Sequence, residues 1–229
     1  MASLTIALAT VAPYLTGDEP SWLASEDPLW AEQFGDDGVF DSSQFGTTSK
    51  RELEVDKISE LLDLRPGMTY CEVGAANGVW ATAIARKVMP GGQIVATVGT
   101  EEEKPAFLDA AELAGIPASV ARGTELESGL PQDESCDVIF SRMSFFFIER
   151  PDLYALQFFA ALKPGGKMLI TDHGPMEGVY TGSRGIASFM KVTMATEQAD
   201  FEAAGFRLLD QMDWKQYFSM GFANLMTKD

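Results

Sequence analysis

Cysteine and histidine are scarce in this sequence, and each shortage excludes a class of site. The 229 residues include two cysteines, Cys71 and Cys136, which are too few for a disulfide framework or a zinc site. We therefore expect buried free thiols and a reducing soluble compartment such as the cytoplasm. The single histidine is His173, and a metal site would need more ligands than it and the adjacent Asp172 supply.

Basic residues are also in short supply. Lysine and arginine number 17 against 34 acidic residues, so the formal net charge is −17. This charge disfavours nucleic acid as a partner, because its phosphates would be repelled. We expect a small-molecule substrate that is neutral or cationic. The alternative is that the acidity only keeps the surface solvated.

Long hydrophobic runs are missing, so no membrane span is predicted. Residues 1–15 are uncharged and largely apolar, but they are too short to span a bilayer and lack a basic n-region. They are a targeting remnant, a swapped arm or a packed strand. Residues 1–50 as a whole read as an N-terminal extension, which is loop-rich but carries several aromatic side chains. We expect it to act as a lid, a packing arm or a contact for a protein partner, beside a main domain at 51–229.

A glycine-containing turn is the most informative feature that is present. An apolar run at 69–73 reads as a strand, and helical periodicity follows at 78–88, so the turn joins a strand to a helix. Such a turn can bring backbone N–H groups close to a ligand. A dinucleotide fingerprint would need a third glycine where Val79 stands, which makes a pyrophosphate ligand a poor fit. The turn residues are Gly74, Ala75, Ala76, Asn77 and Gly78.

The alternation of strands and helices continues along the chain. It predicts a parallel sheet with helices on both faces, because each crossover helix packs back onto the sheet. We predict strands at 69–73, 93–98, 118–122, 137–141, 167–171, 206–212 and 217–226, and helices at 51–64, 78–88, 102–113, 151–162 and 195–204.

Four stretches, in this order, resemble the class I S-adenosylmethionine-dependent methyltransferases. They are E-V-G-A-A-N-G at 72–78, C-D-V-I-F-S at 136–141, A-A-L-K-P-G-G-K-M-L-I-T-D-H at 160–173 and E-A-A-G-F-R-L at 202–208. The resemblance implies an α/β, Rossmann-like three-layer sandwich, with a seven-stranded, mostly parallel sheet and an antiparallel C-terminal edge hairpin. It also implies an enzyme that uses S-adenosylmethionine, releases S-adenosylhomocysteine and methylates a small acceptor.

The resemblance also implies where the cofactor would lie. Glu72 and the glycine turn would hold its methionine end. The family carries an acid at the end of the second strand to bind the ribose, but here Val98 stands there. Glu101 is the candidate substitute, unless it belongs to the first turn of the next helix. The remaining candidate cofactor-binding residues are Gly99, Thr100, Thr124, Glu125 and Ser141.

Substrate and catalytic residues are predicted at the carboxyl ends of the later strands, where sites of α/β proteins lie. His173 is a candidate general base supported by Asp172, although a single histidine can equally be structural. The phenylalanines after the fourth strand are either core residues or the wall of an apolar pocket. The candidate pocket residues are Arg142, Phe145, Phe146, Tyr180 and Arg184.

A second class of function fits some of the same features. Val98 in place of an acid and the aromatic N-terminal extension are compatible with a methyltransferase-like protein that has lost catalysis. Such a protein would serve as a scaffold or binding subunit of a larger complex. The glycine turn argues for the enzyme, because a scaffold does not need a turn of ligand-binding form.

Overall fold

A computed structural model describes residues 48–124, 126–145, 148, 150–173, 194–217 and 221–229, with only the backbone described for 48–50 and His173. The helices are α1 (Thr48–Leu62), α2 (Val79–Ala85), α3 (Glu103–Ala114), α4 (Pro151–Ala161) and α5 (Met194–Ala204), and a 3-10 turn, Arg86–Val88, follows α2. The strands are β1 (Thr69–Val73), β2 (Gln93–Val98), β3 (Ala118–Arg122), β4 (Cys136–Arg142), β5 (Leu162–His173), β6 (Arg207–Asp213) and β7 (Gly221–Thr227).

Within the described residues, the strands form one seven-stranded sheet in the order β3-β2-β1-β4-β5-β7-β6. The first five strands in this order are parallel, and β7 is antiparallel to both β5 and β6. This arrangement confirms the predicted Rossmann-like fold. The bounds of β1, β2 and β3 are those predicted, because buried apolar runs between turn residues leave little choice of register.

Two layers of helices flank the sheet. Helices α1, α2 and α3 contact one another in chain order, and α4 contacts α5. The amphipathic pattern of α1 predicts Leu53 on its apolar face, but Leu53 is 64% exposed, whereas the neighbouring Glu54 is 2% exposed. Periodicity alone could not anticipate a buried glutamate, which is stable there only because a cation on another element pairs with it.

The two cysteines form a disulfide, which corrects the expectation of buried free thiols. Cys71 of β1 and Cys136 at the start of β4 have Cα atoms 5.8 Å apart, and both side chains are fully buried. The strand order decides this proximity, because β1 and β4 are direct neighbours although the cysteines are 65 residues apart in the chain. The prediction of a reducing compartment rested on free thiols and loses that support.

The remaining predictions about the chain's organisation fall partly outside the described residues. Of the predicted N-terminal extension, 1–50, residues 1–47 lie outside them and 48–50 begin α1. The role of the extension as lid, arm or partner contact stays a prediction. Among the helices that are described, none is both long enough and apolar enough to cross a membrane.

Candidate functional site

A cleft opens where the order of the sheet reverses direction. From β1 the chain proceeds outward through β2 to β3, and β4 then returns to the other side of β1. The loops after β1 and β4 therefore diverge at the carboxyl edge, the usual ligand position in open α/β sheets. The cleft is lined by Glu72, Gly74, Ala75, Ala76, Trp80, Arg142, Met143 and Ser144.

The glycine turn forms one wall of this cleft. Its first two amides, of Gly74 and Ala75, donate to the Thr97 carbonyl of β2 at 3.0 and 2.8 Å, which ties the turn to the neighbouring strand. Gly74 has φ +79°, and a Cβ there would collide with Oγ and Cβ of Ser144 from the opposite wall. Only glycine therefore permits both the backbone conformation and the close approach of the two walls.

Two cleft residues other than glycine adopt the left-handed backbone conformation. Ala76 has φ +46° and Met143 has φ +51°. Such conformations cost about 1 kcal/mol or more for residues with a Cβ, and they concentrate at ligand sites. The strained positions stand on opposite walls of the same cleft, one in the glycine turn and one directly after β4.

The helix that follows the turn is capped by the chain itself. Asn77 Oδ1 accepts from the Val79 amide at 3.3 Å, and Gly78 N–H donates to the Ala75 carbonyl at 2.9 Å. Asn77 and Gly78 thus shape the predicted turn, but neither lines the cleft.

Glu72 is a buried acid at the base of the cleft. It is 2% exposed, and its carboxylate accepts a hydrogen bond from the Tyr70 hydroxyl two residues earlier on the same strand. Burial raises the pKa of Glu72 to about 7, while the Tyr70 hydrogen bond and the charge of Arg142 oppose that rise. Burial also raises the pKa of Tyr70 well above its ordinary value. Near neutral pH, Glu72 can therefore exist in either protonation state.

Arg142 stands on the opposite wall, where Glu54 and Trp80 from two other elements contact it and Trp214 holds the glutamate. Its Nε and Nη2 donate to the two carboxylate oxygens of Glu54 at 3.1 and 3.0 Å. Trp214, which follows β6, donates its Nε1–H to the same glutamate at 2.9 Å. The guanidinium also stacks 4.0 Å from the ring centroid of Trp80. Side-chain exposure in the ion pair is 6% for Arg142 and 3% for Glu54.

The end of β2 offers a different carboxylate from the one predicted. Val98 is buried, 1% exposed, and Glu101 forms an exposed ion pair with Lys104 at 2.8 Å. Glu103 instead accepts from the amides of Gly99 and Thr100 at 2.9 and 3.0 Å. Glu103 is the first residue of α3, whose N-cap is Glu102, so this carboxylate closes the loop that leads into the helix. Its spacing from Thr100 was readable in the sequence.

The loop after β3, predicted on the adenine side, is braced from α4. Thr124 Oγ1 accepts from the Leu126 and Glu127 amides at 3.3 and 3.0 Å, and its carbonyl accepts from the Tyr154 hydroxyl. Burial raises the pKa of Tyr154 to about 12, so this hydroxyl stays protonated. Gly123 N–H donates to the Val98 carbonyl at 2.9 Å, which joins the loop to the end of β2.

Two predicted residues, one within the end of β4 and one just after it, are fully buried. Ser141 is fully buried, and its Oγ has no hydrogen-bond partner among the described residues. Phe145 is also fully buried and packs against Phe158 and Phe201, with ring centroids 6.1 and 5.0 Å apart. This packing argues against Phe145 in a substrate pocket, and the core alternative is the one the structure supports.

Asp172 and His173 close β5 at the carboxyl edge of the sheet. Asp172 is fully buried and pairs in register with Phe222 of β7, and the backbone of His173 pairs with Gly221. Asp172 does not line the cleft described above. Four further predicted residues lie outside the described part of the chain: Glu125, Phe146, Tyr180 and Arg184.

Sequence reasoning missed three of the residues that line the cleft. Met143 and Ser144 follow β4 directly, so the position of that strand's end was the signal for them. Trp80 sits in a helix that reads as core, yet its buried Nε1–H has no acceptor among the described residues. A buried donor of this kind requires an explanation, and a ligand acceptor is one.

The family of the chain is shown by comparison with known proteins. A family model described as a methyltransferase domain matches residues 47–219, which is most of the chain. The chain therefore belongs to the methyltransferase domain family. The match confirms the predicted methyltransferase family and the predicted enzyme class.

Solved structures share the fold at low sequence identity. A SAM-dependent methyltransferase from Aquifex aeolicus is 22% identical over 83% of this chain and 100% of its own, with a TM-score of 0.67. Geranyl diphosphate methyltransferase in complex with SAM is 10% identical over 78% of this chain and 85% of its own, with a TM-score of 0.65. The [4+2]-cyclase SpnF is 16% identical over 100% of this chain and 97% of its own, with a TM-score of 0.67. At such identities the likeness concerns the fold alone.

Proposed function

We propose that this protein transfers a methyl group from S-adenosylmethionine to a small, neutral or cationic acceptor. The observation that supports this most is the buried Glu72 at the base of a cleft whose glycine turn leaves no room for a Cβ. S-adenosylmethionine carries a sulfonium and an ammonium group, and a carboxylate at that position attracts such charges. The acid and the turn lie at the switch point of the sheet, where ligands of open α/β sheets bind.

The cleft fits the methionine end of the cofactor. Glu72 would hold the ammonium group, and the turn from Gly74 to Ala76 would lie along the chain of the amino acid. The Trp80 Nε1–H, which lacks an acceptor among the described residues, suits a ligand carboxylate. The strained backbone of Ala76 and Met143 fits a site shaped in advance for one ligand.

The ribose end would rest on Glu103 in place of the predicted Glu101. The Glu103 carboxylate already lies at the end of β2, held by the amides of Gly99 and Thr100. Glu101 is exposed and paired with Lys104. The loop at Thr124 would border the adenine, because Gly123 joins it to the end of β2.

Little further chemistry is demanded of the protein. Bound S-adenosylmethionine supplies a methyl group that its sulfonium already makes electrophilic. The chain has to align the acceptor, exclude water and remove a proton where the acceptor carries one. For the last task we keep His173 and Asp172 as the candidate base and its support, because both end β5 at the carboxyl edge. His173→Ala should then slow turnover while cofactor affinity is unchanged.

The charge of the chain supports a neutral or cationic acceptor. A net charge of −17 repels anionic molecules over the whole surface. Methyl-transfer assays with radiolabelled S-adenosylmethionine, with panels of amines, alcohols and carboxylates as acceptors, would test this. Methylation of amines or neutral hydroxyl compounds is the expected result, and a preference for carboxylates would contradict it.

Calorimetric titration tests the cofactor proposal directly. Micromolar affinity for S-adenosylmethionine and S-adenosylhomocysteine is expected, with no heat from a nicotinamide dinucleotide as the control. If the folded protein binds neither methionine compound at several temperatures, the alternative of a scaffold without catalysis gains the support that the enzyme loses.

A further inference from the structure

Two residues of opposite charge line the cleft, and a third residue, Glu54, pairs with one of them. Glu72 lies on β1 and Arg142 on β4, and both line the cleft. A buried carboxylate and a buried guanidinium at one site would ordinarily pair, since each compensates the other's loss of hydration. Here the two-point ion pair of Arg142 is with Glu54 of α1 instead.

We propose that Glu54 is a positioning residue that sets the charge of the cleft: by neutralising Arg142, it leaves Glu72 to attract a cationic group of the ligand. The inference rests on the proposed function, which supplies the cationic ligand. Glu54 itself does not line the cleft. Its effect reaches the ligand through Arg142 and through the summed electrostatic potential.

The contacts around Arg142 favour Glu54 as the residue that neutralises it. Both carboxylate oxygens of Glu54 are occupied by the arginine, and one also accepts from Trp214 Nε1 at 2.9 Å. The stack of the guanidinium on Trp80 at 4.0 Å fixes its plane from a further side. Arg142 is thus held directly by α1 and α2, while the segment after β6 holds Glu54. A two-point pair of this kind defines orientation as well as charge.

The charge balance gives the proposal a definite sign. Glu54 and Arg142 together sum to zero, so the ionised form of Glu72 brings the group to one negative charge. The groups that face Glu72 are Tyr70 on its own strand, which donates a hydrogen bond, and Arg142 on β4. Removing Glu54 alone would leave Arg142 uncompensated and make the cleft one unit more positive. Removing both members of the pair would return it to the original balance.

Three variants test this sign. Glu54→Gln keeps the shape of the side chain and removes its charge. Glu54→Gln/Arg142→Met removes the pair together. Trp214→Phe is the matched control, because it takes a hydrogen bond from the same carboxylate without changing any charge.

The first measurement is the pKa of Glu72 in the protein without ligand, from infrared titration of its carboxyl band, assigned with Glu72→Gln. We expect the pKa to fall in Glu54→Gln, to return to or above the wild-type value in the double variant, and to stay unchanged in Trp214→Phe. A purely structural role for Glu54 would not produce opposite shifts. This measurement needs no bound cofactor, so it separates failure of the inference from failure of the proposed function.

The second measurement compares a cationic with a neutral ligand. Affinity for S-adenosylmethionine should fall about tenfold in Glu54→Gln and recover in the double variant. Adenosine, which lacks the sulfonium and the ammonium, should bind equally to all of them. Equal losses for both ligands, or an unchanged Glu72 pKa in Glu54→Gln, would overturn the proposal. If Glu54→Gln does not fold, Arg142→Met replaces it, and it should raise the Glu72 pKa; a fall or no change would count against the inference.

Discussion

Two glutamates of this protein are buried to a similar degree but stand in very different surroundings. Glu72 lies at the base of the cleft beside Arg142, and burial raises its pKa to about 7. Glu197 of α5 is fully buried against β7, where Asn224 Nδ2 donates to it at 2.8 Å. Burial and the nearby Asp200 raise the pKa of Glu197 to about 8, although the Asn224 hydrogen bond opposes the rise.

A perturbed pKa alone therefore does not identify a ligand-binding site. Glu197 has the larger shift, yet it does not line the cleft that Glu72 lines. Its partner Asn224 is held by Gln211 at 3.0 Å and by the Met194 carbonyl at 3.1 Å, which makes the cluster a link between α5 and the sheet edge. Glu72 adds an opening, a neighbouring cation and a glycine turn, and these are what a ligand requires.

The largest expected effect concerns the disulfide, which joins β1, the strand that carries Glu72, to β4. Closing a loop of 65 residues stabilises the fold by about 4 kcal/mol in the chain-entropy account. Cys71→Ala/Cys136→Ala should therefore lower the free energy of unfolding by about that amount, measured by urea denaturation. Labelling of free thiols in the unfolded, unreduced wild type is the control. Stoichiometric labelling there would show that no disulfide stabilises this region.

The pH dependence of the free energy of unfolding tests the raised pKa of Glu197. Its folded pKa of about 8 lies above the ordinary value of 4.5, so its contribution is fully present below about pH 4.5 and is lost as the pH rises through 8. Glu197→Gln keeps an acceptor for Asn224 and removes the titration. The variant should gain on the order of 3 kcal/mol over the wild type between pH 5 and 8.

Urea denaturation of both proteins at intervals across this range provides the measurement. Glu72 contributes a slope of the same sign in each protein, with a window that closes near its pKa of about 7. The difference between the two proteins therefore isolates Glu197. If the stability difference between the wild type and Glu197→Gln does not change with pH, Glu197 is ionised in the folded state. Its pKa would then not lie above that of Glu72, as the comparison requires.

The close approach of the two cleft walls can be tested with a matched pair of glycines. Gly74 and Gly67 have similar φ values, +79° and +88°, but a Cβ at Gly67 would meet nothing within 4 Å. Both alanine variants should lose about 1 kcal/mol to backbone strain, and Gly74→Ala should lose about 1 to 3 kcal/mol more through its collision with Ser144. Only Gly74→Ala should abolish binding of S-adenosylmethionine, measured by calorimetry. Equal behaviour of the two variants would remove the turn from the site.

The smallest expected effects concern Glu101 and Glu103, the two acids that follow the end of β2. Glu103→Ala removes the acceptor of the Gly99 and Thr100 amides and should cost about 1 kcal/mol, together with a loss of cofactor affinity. Glu101→Ala breaks only an exposed ion pair with Lys104 and should change stability by less than about 0.5 kcal/mol. Thermal unfolding and calorimetric titration of both variants provide the test. A larger loss of affinity in Glu101→Ala would restore the original assignment from sequence.

The parts of the fold that sequence predicted well are those governed by local pattern. The bounds of β1, β2 and β3 follow from short apolar runs between turn residues. The return of the Glu103 carboxylate to the amide of Thr100, three residues earlier, is equally local. Position relative to a strand end also indicated the cleft wall, since Arg142 ends β4 and Met143 and Ser144 follow it.

By itself, the sequence determined the alternation of elements, the glycine turn with its preceding acid and the family to which the chain belongs, because these depend on residues close together in the chain. Tertiary structure alone decided that Cys71 meets Cys136, that Glu54 is buried while Leu53 is exposed, and that Phe145 belongs to the core. Each of these outcomes depends on a partner from another element. Such a partner determines whether a buried charge is compensated or a ring is enclosed, and spacing along one segment carries no information about it.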